Sequence, residues 1–115
     1  MTISVAYTGS PTVSTTEWSL PSASITLSDL AVSGIFQLFL DLSTLTATES
    51  YKLQIKESAV SAGTQRLLQD VVFSGAQAEP IYVSESLILM HKWDMTLTKL
   101  AGTDRVIPFS IRQVA

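Results

Sequence analysis

Residues 87–112 read LILMHKWDMTLTKLAGTDRVIPFSIR, and the fold class follows from this stretch. Over 93–100 the side chains alternate. Trp93, Met95, Leu97 and Lys99 share one side, and Asp94, Thr96, Thr98 and Leu100 share the other. Alternation with period two is the signature of a strand. It returns over 105–113, where Ile107, Phe109 and Ile111 share a side. Between the two lies Ala101-Gly102-Thr103-Asp104, a composition suited to reversing the chain. The pattern predicts an antiparallel C-terminal hairpin, and so an all-β chain.

A register follows from pairing. A Gly102-Thr103-Asp104 loop with Ala101 opposite Arg105 sets Leu97 against Phe109 and Met95 against Ile111. It also sets Asp94 against Arg112 and Thr96 against Ser110. A longer loop opposes Lys99 to Arg105, two like charges. Directly opposed pairs contribute roughly 0.2–1 kcal/mol each, enough in combination to select a register. The glycine stands first in this loop, whereas three-residue hairpin loops favour it last. Pro108 cannot donate to a ladder, which predicts an edge strand or a bulge there.

The rest of the chain reads as short strands separated by Ser, Thr, Gly and Pro. Residues 3–7 alternate and form the first expected strand. Residues 13–20 read as an exposed strand or an extended arm, and the whole Ser/Thr-rich stretch TGSPTVSTTEWSLPSAS (8–24), uncharged apart from Glu17, is readable as an arm that docks elsewhere. Over 34–45, Phe36, Leu38, Leu40 and Leu42 are expected in the core. Ile35, Gln37, Phe39 and Asp41 form a mixed second face that meets a partner or a second layer. Over 51–56, Tyr51, Leu53 and Ile55 point inward and Lys52, Gln54 and Lys56 outward. The Thr46-Ala47-Thr48-Glu49 sequence matches a capping box and keeps a helix here as the rival reading. Further strands are expected at 66–74, with Val71 and Phe73 on one face, at 81–83 and at 87–90. The sum is a single domain, 1–115, of about eight antiparallel strands, a β-sandwich, jelly roll or barrel.

Composition narrows the function. The chain is 46% hydrophobic and only 15% charged, which points to a surface covered by partners in an assembly. Residues 1–51 carry four acids and no base, whereas 52–115 carry seven bases and six acids, so the halves stand at −4 and +1. A net charge of −3 with no basic cluster argues against nucleic acid. No stretch is long and apolar enough for a membrane-spanning helix, and MTISVAYTGSPTVS lacks the features of a secretory leader. Without cysteine, no disulfide or thiolate site can form.

Catalytic patterns are missing as well. His91 is the single histidine and reads as a structural or surface residue. None of the ten carboxylates is marked as a catalytic pair, and no HExxH, GxSxG, phosphate loop or calcium loop occurs. The expectation is no enzyme activity, no cofactor and no metal. Trp18, Trp93, Tyr7, Tyr51 and Tyr82 are the residues that would stack on sugars in a carbohydrate-binding module. Core packing and interface anchoring are the preferred reading of these aromatics. Trp18, Ile35, Phe39 and Trp93 are the expected interface residues.

With its Met1 start, its Ser/Thr-rich first segment, its many short strands, its lack of Cys and its ending SIRQVA, the whole chain resembles the small all-β accessory proteins of tailed-phage virions. It is most similar in style to capsid cement, or decoration, proteins. No functional residue carries over from that family. The resemblance implies a β-sandwich-like homo-oligomer, a trimer by preference, bound between major capsid protein subunits on the virion surface after assembly in the host cytoplasm. A phage tail or fibre subunit shares this composition and is the alternative, with the glycan-binding module as a third class.

Overall fold

The computed structural model describes residues 2–114, so Met1 and Ala115 of the expected 1–115 domain lie outside the described residues. The chain is all-β. Its strands in order are β1 (Ile3–Gly9), β2 (Thr12–Val13), β3 (Trp18–Ser19), β4 (Gly34–Asp41), β5 (Ser50–Glu57), β6 (Arg66–Ser74), β7 (Ile81–Val83), β8 (Leu87–Leu89), β9 (Asp94–Ala101), β10 (Arg105–Val106) and β11 (Phe109–Val114). The larger sheet runs β1-β11-β4-β7, with β8 pairing β4 beside β7. The smaller sheet runs β3-β9-β5-β6, and β10 pairs β2 separately. All ladders are antiparallel. The two sheets enclose one core, as a sandwich does.

The alternation of the sequence places that core. Phe36, Leu38 and Leu40 on β4 and Tyr51, Leu53 and Ile55 on β5 are fully buried. The helix rival over 51–56 gives way to the strand, because its apolar positions recur every two residues. Trp93 enters from the smaller sheet's side and is 0% exposed. Its ring centroid lies 4.7 Å from that of Phe36 and 6.0 Å from that of Tyr7, both on the larger sheet. Its indole Nε1 donates to Val32 O at 2.8 Å, which satisfies the one polar atom it carries into the core. Phe73 and Tyr82 bridge the sheets again, at 4.9 Å.

The expected C-terminal hairpin does not form. β9 pairs with β5 and β3, and β11 pairs with β1 and β4. Thus Leu97 lies against Leu53 and Trp18, and Phe109 against Leu40 and Gly9. The turn at 102–104 is real, but it starts a crossing from one sheet to the other. The crossing partner is the N-terminal segment: β1 pairs β11, β2 pairs β10, and β3 pairs β9. Two chain segments about a hundred residues apart therefore form one antiparallel ribbon that bends from the larger sheet into the smaller. Each bends beside a proline, Pro11 in one and Pro108 in the other, and Ile107 N donates to Pro11 O at 2.9 Å. Pro108 marks this corner. Of the two expectations for the proline, the edge strand fails, since β11 lies between β1 and β4, whereas the strand is indeed interrupted at Pro108, between β10 and β11.

The segment 8–24, readable as an arm, carries β2 and β3 and so forms part of this ribbon, with Val13, Ser19 and Leu20 buried. Buried Asp94 holds its far end. One carboxylate oxygen accepts from the Ser19 hydroxyl at 2.7 Å and Met95 N at 2.9 Å, and the other accepts from Ser28 N at 2.9 Å. Burial raises the Asp94 pKa, and these hydrogen bonds oppose the rise.

A polar cluster fixes the corner. The Tyr51 hydroxyl accepts from Arg105 N at 2.7 Å and donates to Val13 O at 3.1 Å, tying β5 to both halves of the ribbon. The Glu49 carboxylate accepts from Thr46 N at 2.8 Å, Arg105 Nε at 3.0 Å and the Thr48 hydroxyl. Glu49 reaches back to the Thr46 amide as in a capping box, but the Thr46 hydroxyl donates to the same carboxylate instead of accepting from Glu49 N, and a strand follows in place of a helix. The Thr48 hydroxyl and the Thr46 amide hold the Glu49 carboxyl well below its ordinary value of 4.5, against the opposing effect of burial. Gly102 packs directly on this cluster at φ +86°, and a Cβ there would meet Thr48 O at 2.6 Å.

Two predictions follow from the corner. Tyr51→Phe leaves Arg105 N and Val13 O without this partner and lowers unfolding free energy by about 1–3 kcal/mol in urea titrations. Glu49 has a depressed folded pKa, so its contribution is present above about pH 4.5 and is lost as pH falls toward the folded value. Glu49→Gln is therefore less stable than the parent at pH 7, and the gap between their melting temperatures narrows progressively below pH 4.5.

Candidate interaction surface

The alternation that buries Phe36, Leu38 and Leu40 turns Ile35, Gln37, Phe39 and Asp41 outward on β4. The ladder register assembles their neighbours. Val114 lies opposite Ile35, Arg112 opposite Gln37, and Ser110 opposite Phe39. Beyond β11, Ile3 and Val5 of β1 stand opposite Val114 and Arg112. On the other side of β4, Ile88 pairs with Ile35, Val83 with Phe39, and Ile81 with Asp41. The outer face of the larger sheet is thus mainly aliphatic. Ile88 is 80% exposed, Ile3 65%, and Ile35 42%.

Arg112 and Phe39 form the centre of this face. The guanidinium carbon lies 3.7 Å from the Phe39 ring centroid, a cation–π stack. Arg112 Nε donates to the Ser110 hydroxyl at 3.1 Å, and no carboxylate among the described residues pairs with it. A hollow lies on each side of this ridge. One, of about 240 Å³, is lined by Asp41, Ile81, Pro108 and Phe109 together with Phe39 and Arg112. The other, of about 160 Å³, is lined by Ile3, Ile35, Ser86 and Val114 with the same pair. Both are smaller than the roughly 300–1,000 Å³ of small-molecule sites, and they suit single side chains of a protein partner. The hydrogen bonds from Ser43 lower the Asp41 pKa, so this rim carboxyl is charged at neutral pH.

The opposite outer face is different in kind. Lys52, Gln54 and Lys56 on β5 lie beside Thr96 and Thr98 on β9 and Asp70 on β6. Glu17 covers part of it, bound to Lys56 Nζ at 2.7 Å and to the Thr96 hydroxyl. Burial alone would raise the Glu17 pKa, and Lys56 and Thr96 bring it below its ordinary value. Exposed apolar residues on this side include Leu67, Leu68 and Val72 of the β6 edge and Leu100 near the end of β9.

Of the four expected interface residues, the structure brings two together: Ile35 and Phe39 lie on the apolar face and line the same hollow. Trp93 is a correction. It is buried at the centre of the core and offers no surface. Trp18 is half-buried on the smaller sheet against Leu97, and its buried indole N–H has no hydrogen-bond partner among the described residues. The residues sequence reasoning missed are Arg112, Ile88 and the aliphatic pairs Ile3/Val5 and Ile81/Val83. The i, i+2 spacing within each pair was the available signal.

Among the described residues, no three His, Asp or Glu side chains converge as a metal site would require. His91 contributes its backbone, accepting from Ser58 N and donating to Glu57. Of the five aromatics proposed to stack on sugars, Tyr51 and Trp93 are buried and Tyr7, Trp18 and Tyr82 half-buried. No family model matches the sequence, and comparison with curated proteins and with solved structures returns no match either.

If the outer face contributes contacts and not folding energy, its residues are replaceable. Ile35→Ser and Ile88→Ser change unfolding free energy by about 0.5 kcal/mol or less, whereas Leu38→Ala, one position inward, lowers it by about 2–5 kcal/mol. Denaturant titration of the three variants measures this.

Proposed function

We propose that this chain is a non-enzymatic structural protein of a tailed-phage virion, a cement or decoration protein that stabilises the capsid by binding between major capsid protein subunits. The observation that carries the reading is the apolar outer face of the larger sheet, centred on Phe39 and Arg112. Large apolar fields rimmed by polar groups mark protein contacts. Aromatic and arginine side chains next to small hollows are the usual anchors of such contacts. The proposed mechanism needs no reaction. Many weak contacts repeated by symmetry hold neighbouring subunits together, and none has to be strong alone. Its place is the capsid surface, joined after assembly in the host cytoplasm, as a homo-oligomer for which the resemblance favours a trimer.

The test is direct. Purified protein is mixed with shells assembled from the major capsid protein encoded beside it. Co-sedimentation and a higher shell melting temperature are expected, and Phe39→Ser with Ile88→Ser abolishes both. Free protein in the supernatant with an unchanged shell melt rules the reading out. Rings that ignore shells indicate a tail or fibre subunit instead. Retention on a polysaccharide array, lost in Trp18→Ala, indicates a glycan-binding module.

A further inference from the structure

Among the described residues, the outer face of the larger sheet carries one cation, and it stands at the centre. Arg112 is exposed, with its guanidinium carbon 3.7 Å from the Phe39 ring centroid and its Nε bonded to the Ser110 hydroxyl. These two contacts hold the charge on the Phe39/Ser110 row, on the ridge between the two hollows. Among the described residues, neither Nη atom has a hydrogen-bond partner and no carboxylate pairs with the group. Asp41 lies two residues from that row, at the rim, and already accepts from Ser43 N at 3.0 Å.

In water the arrangement is stable, because solvent meets the open edge of the guanidinium. A partner that covers the face removes that water. An ionised group buried without a counter-charge is strongly disfavoured. Purely apolar cover would strand the charge, and a basic group would repel it. A guanidinium stacked on a ring keeps its Nη atoms available to a carboxylate, the acceptor that its geometry suits best. Beside the ridge the requirement is the opposite. Ile81, Pro108 and Phe109 wall the larger hollow, and Ile3, Ile35 and Val114 wall the smaller, so both take apolar side chains.

We propose that the surface seated on this face presents an acidic side chain to Arg112, flanked by apolar side chains that enter the two hollows. The inference rests on reading the chain as a capsid-binding protein, and it names the shell's side of that contact: an Asp or Glu of the major capsid protein set among apolar residues. Asp41 sharpens the register. Its charge at the edge of the larger hollow repels an acid displaced toward it, which holds the partner carboxylate to the guanidinium. Such a pair selects one docking position and makes the contact sensitive to salt.

Binding to shells assembled from the major capsid protein encoded beside this chain tests the pair. Co-sedimentation titrations compare the parent with Arg112→Gln, Arg112→Glu and Arg112→Lys. Arg112→Gln is expected to weaken shell binding about tenfold or more, and Arg112→Glu further. Added salt weakens the parent more steeply than Arg112→Gln. In the Arg112→Lys complex, a zero-length carbodiimide couples the new amine at position 112 to the acid it meets, and mass spectrometry of the linked peptides identifies that acid. Replacing it by Lys in the shell restores binding of Arg112→Glu, which no loss of folding can imitate. Shells bound equally by the parent and Arg112→Gln, or a link from position 112 only to an acid of its own chain, overturn the inference and leave the virion reading standing. A parent that ignores shells overturns both.

Discussion

The bend of one antiparallel ribbon from sheet to sheet is the constraint on which this fold depends. Residues 3–19 pair with residues 96–114 in three successive ladders, β1 with β11, β2 with β10 and β3 with β9. A ribbon that turns a corner breaks ladder bonds there, and the freed groups need partners. Tyr51 supplies two of them, to Arg105 N and Val13 O. Asp41 N takes the Pro108 carbonyl, and Ile107 N takes that of Pro11. The prolines stand where no amide proton is wanted. Glu49 adds charge to this cluster, balanced by Arg105 at the turn it supports. Once the corner is fixed, β11 is set between β1 and β4, and the outer face of the larger sheet takes its composition from that order.

Much of this was legible in the sequence, and the failures have a common cause. Alternation located β4 and β5 and their buried sides, because side-chain parity is a local property. The turn at 102–104 was placed correctly for the same reason. Its meaning was not, since pairing is non-local: the Thr8 hydroxyl bonds Phe109 O across 101 positions. Neighbouring strands joined by a tight turn usually pair, and here they separate into different sheets. The sequence held two warnings. Gly102 stood first in the loop, where a hairpin has less use for it. It is needed because Thr48 and Glu49 press against it. Pro108 interrupted the proposed ladder, and it sits at the corner.

The candidate surface was half legible. Parity put Ile35 and Phe39 outward, and there they are. Composition also nominated Trp18 and Trp93, although the same parity placed Trp93 with Met95 and Leu97 on a buried side. Size and rarity make a tryptophan a good anchor for a core as well as for an interface, and the core took it. Arg112 was missed because its strand neighbours were misassigned. Expected opposite Asp94, it lies instead beside Gln37 and Val5, with no acid across the ladder.

How the sheets guard themselves bears on how this chain associates. β1 and β6 are the long edges of the two sheets, and each carries a register shift, between Val5 and Tyr7 and opposite Ile55 and Lys56. Such bulges twist an edge away from straight pairing and discourage strand addition. The larger sheet's outer face has no comparable guard. It lacks the lysines of the opposite face, and its one arginine is already stacked and bonded to Ser110. A side chain held in place before contact loses less freedom on contact, so the ridge of Phe39 and Arg112 is prepared for docking. Closed edges with an open face favour association that stacks sheets face to face over association that extends them. A face-to-face contact covers the open side once, whereas edge extension leaves the opposite edge of the sheet exposed. A chain this apolar and sparsely charged avoids open-ended polymerisation only if its sticky area lies where a single neighbour can cover it completely.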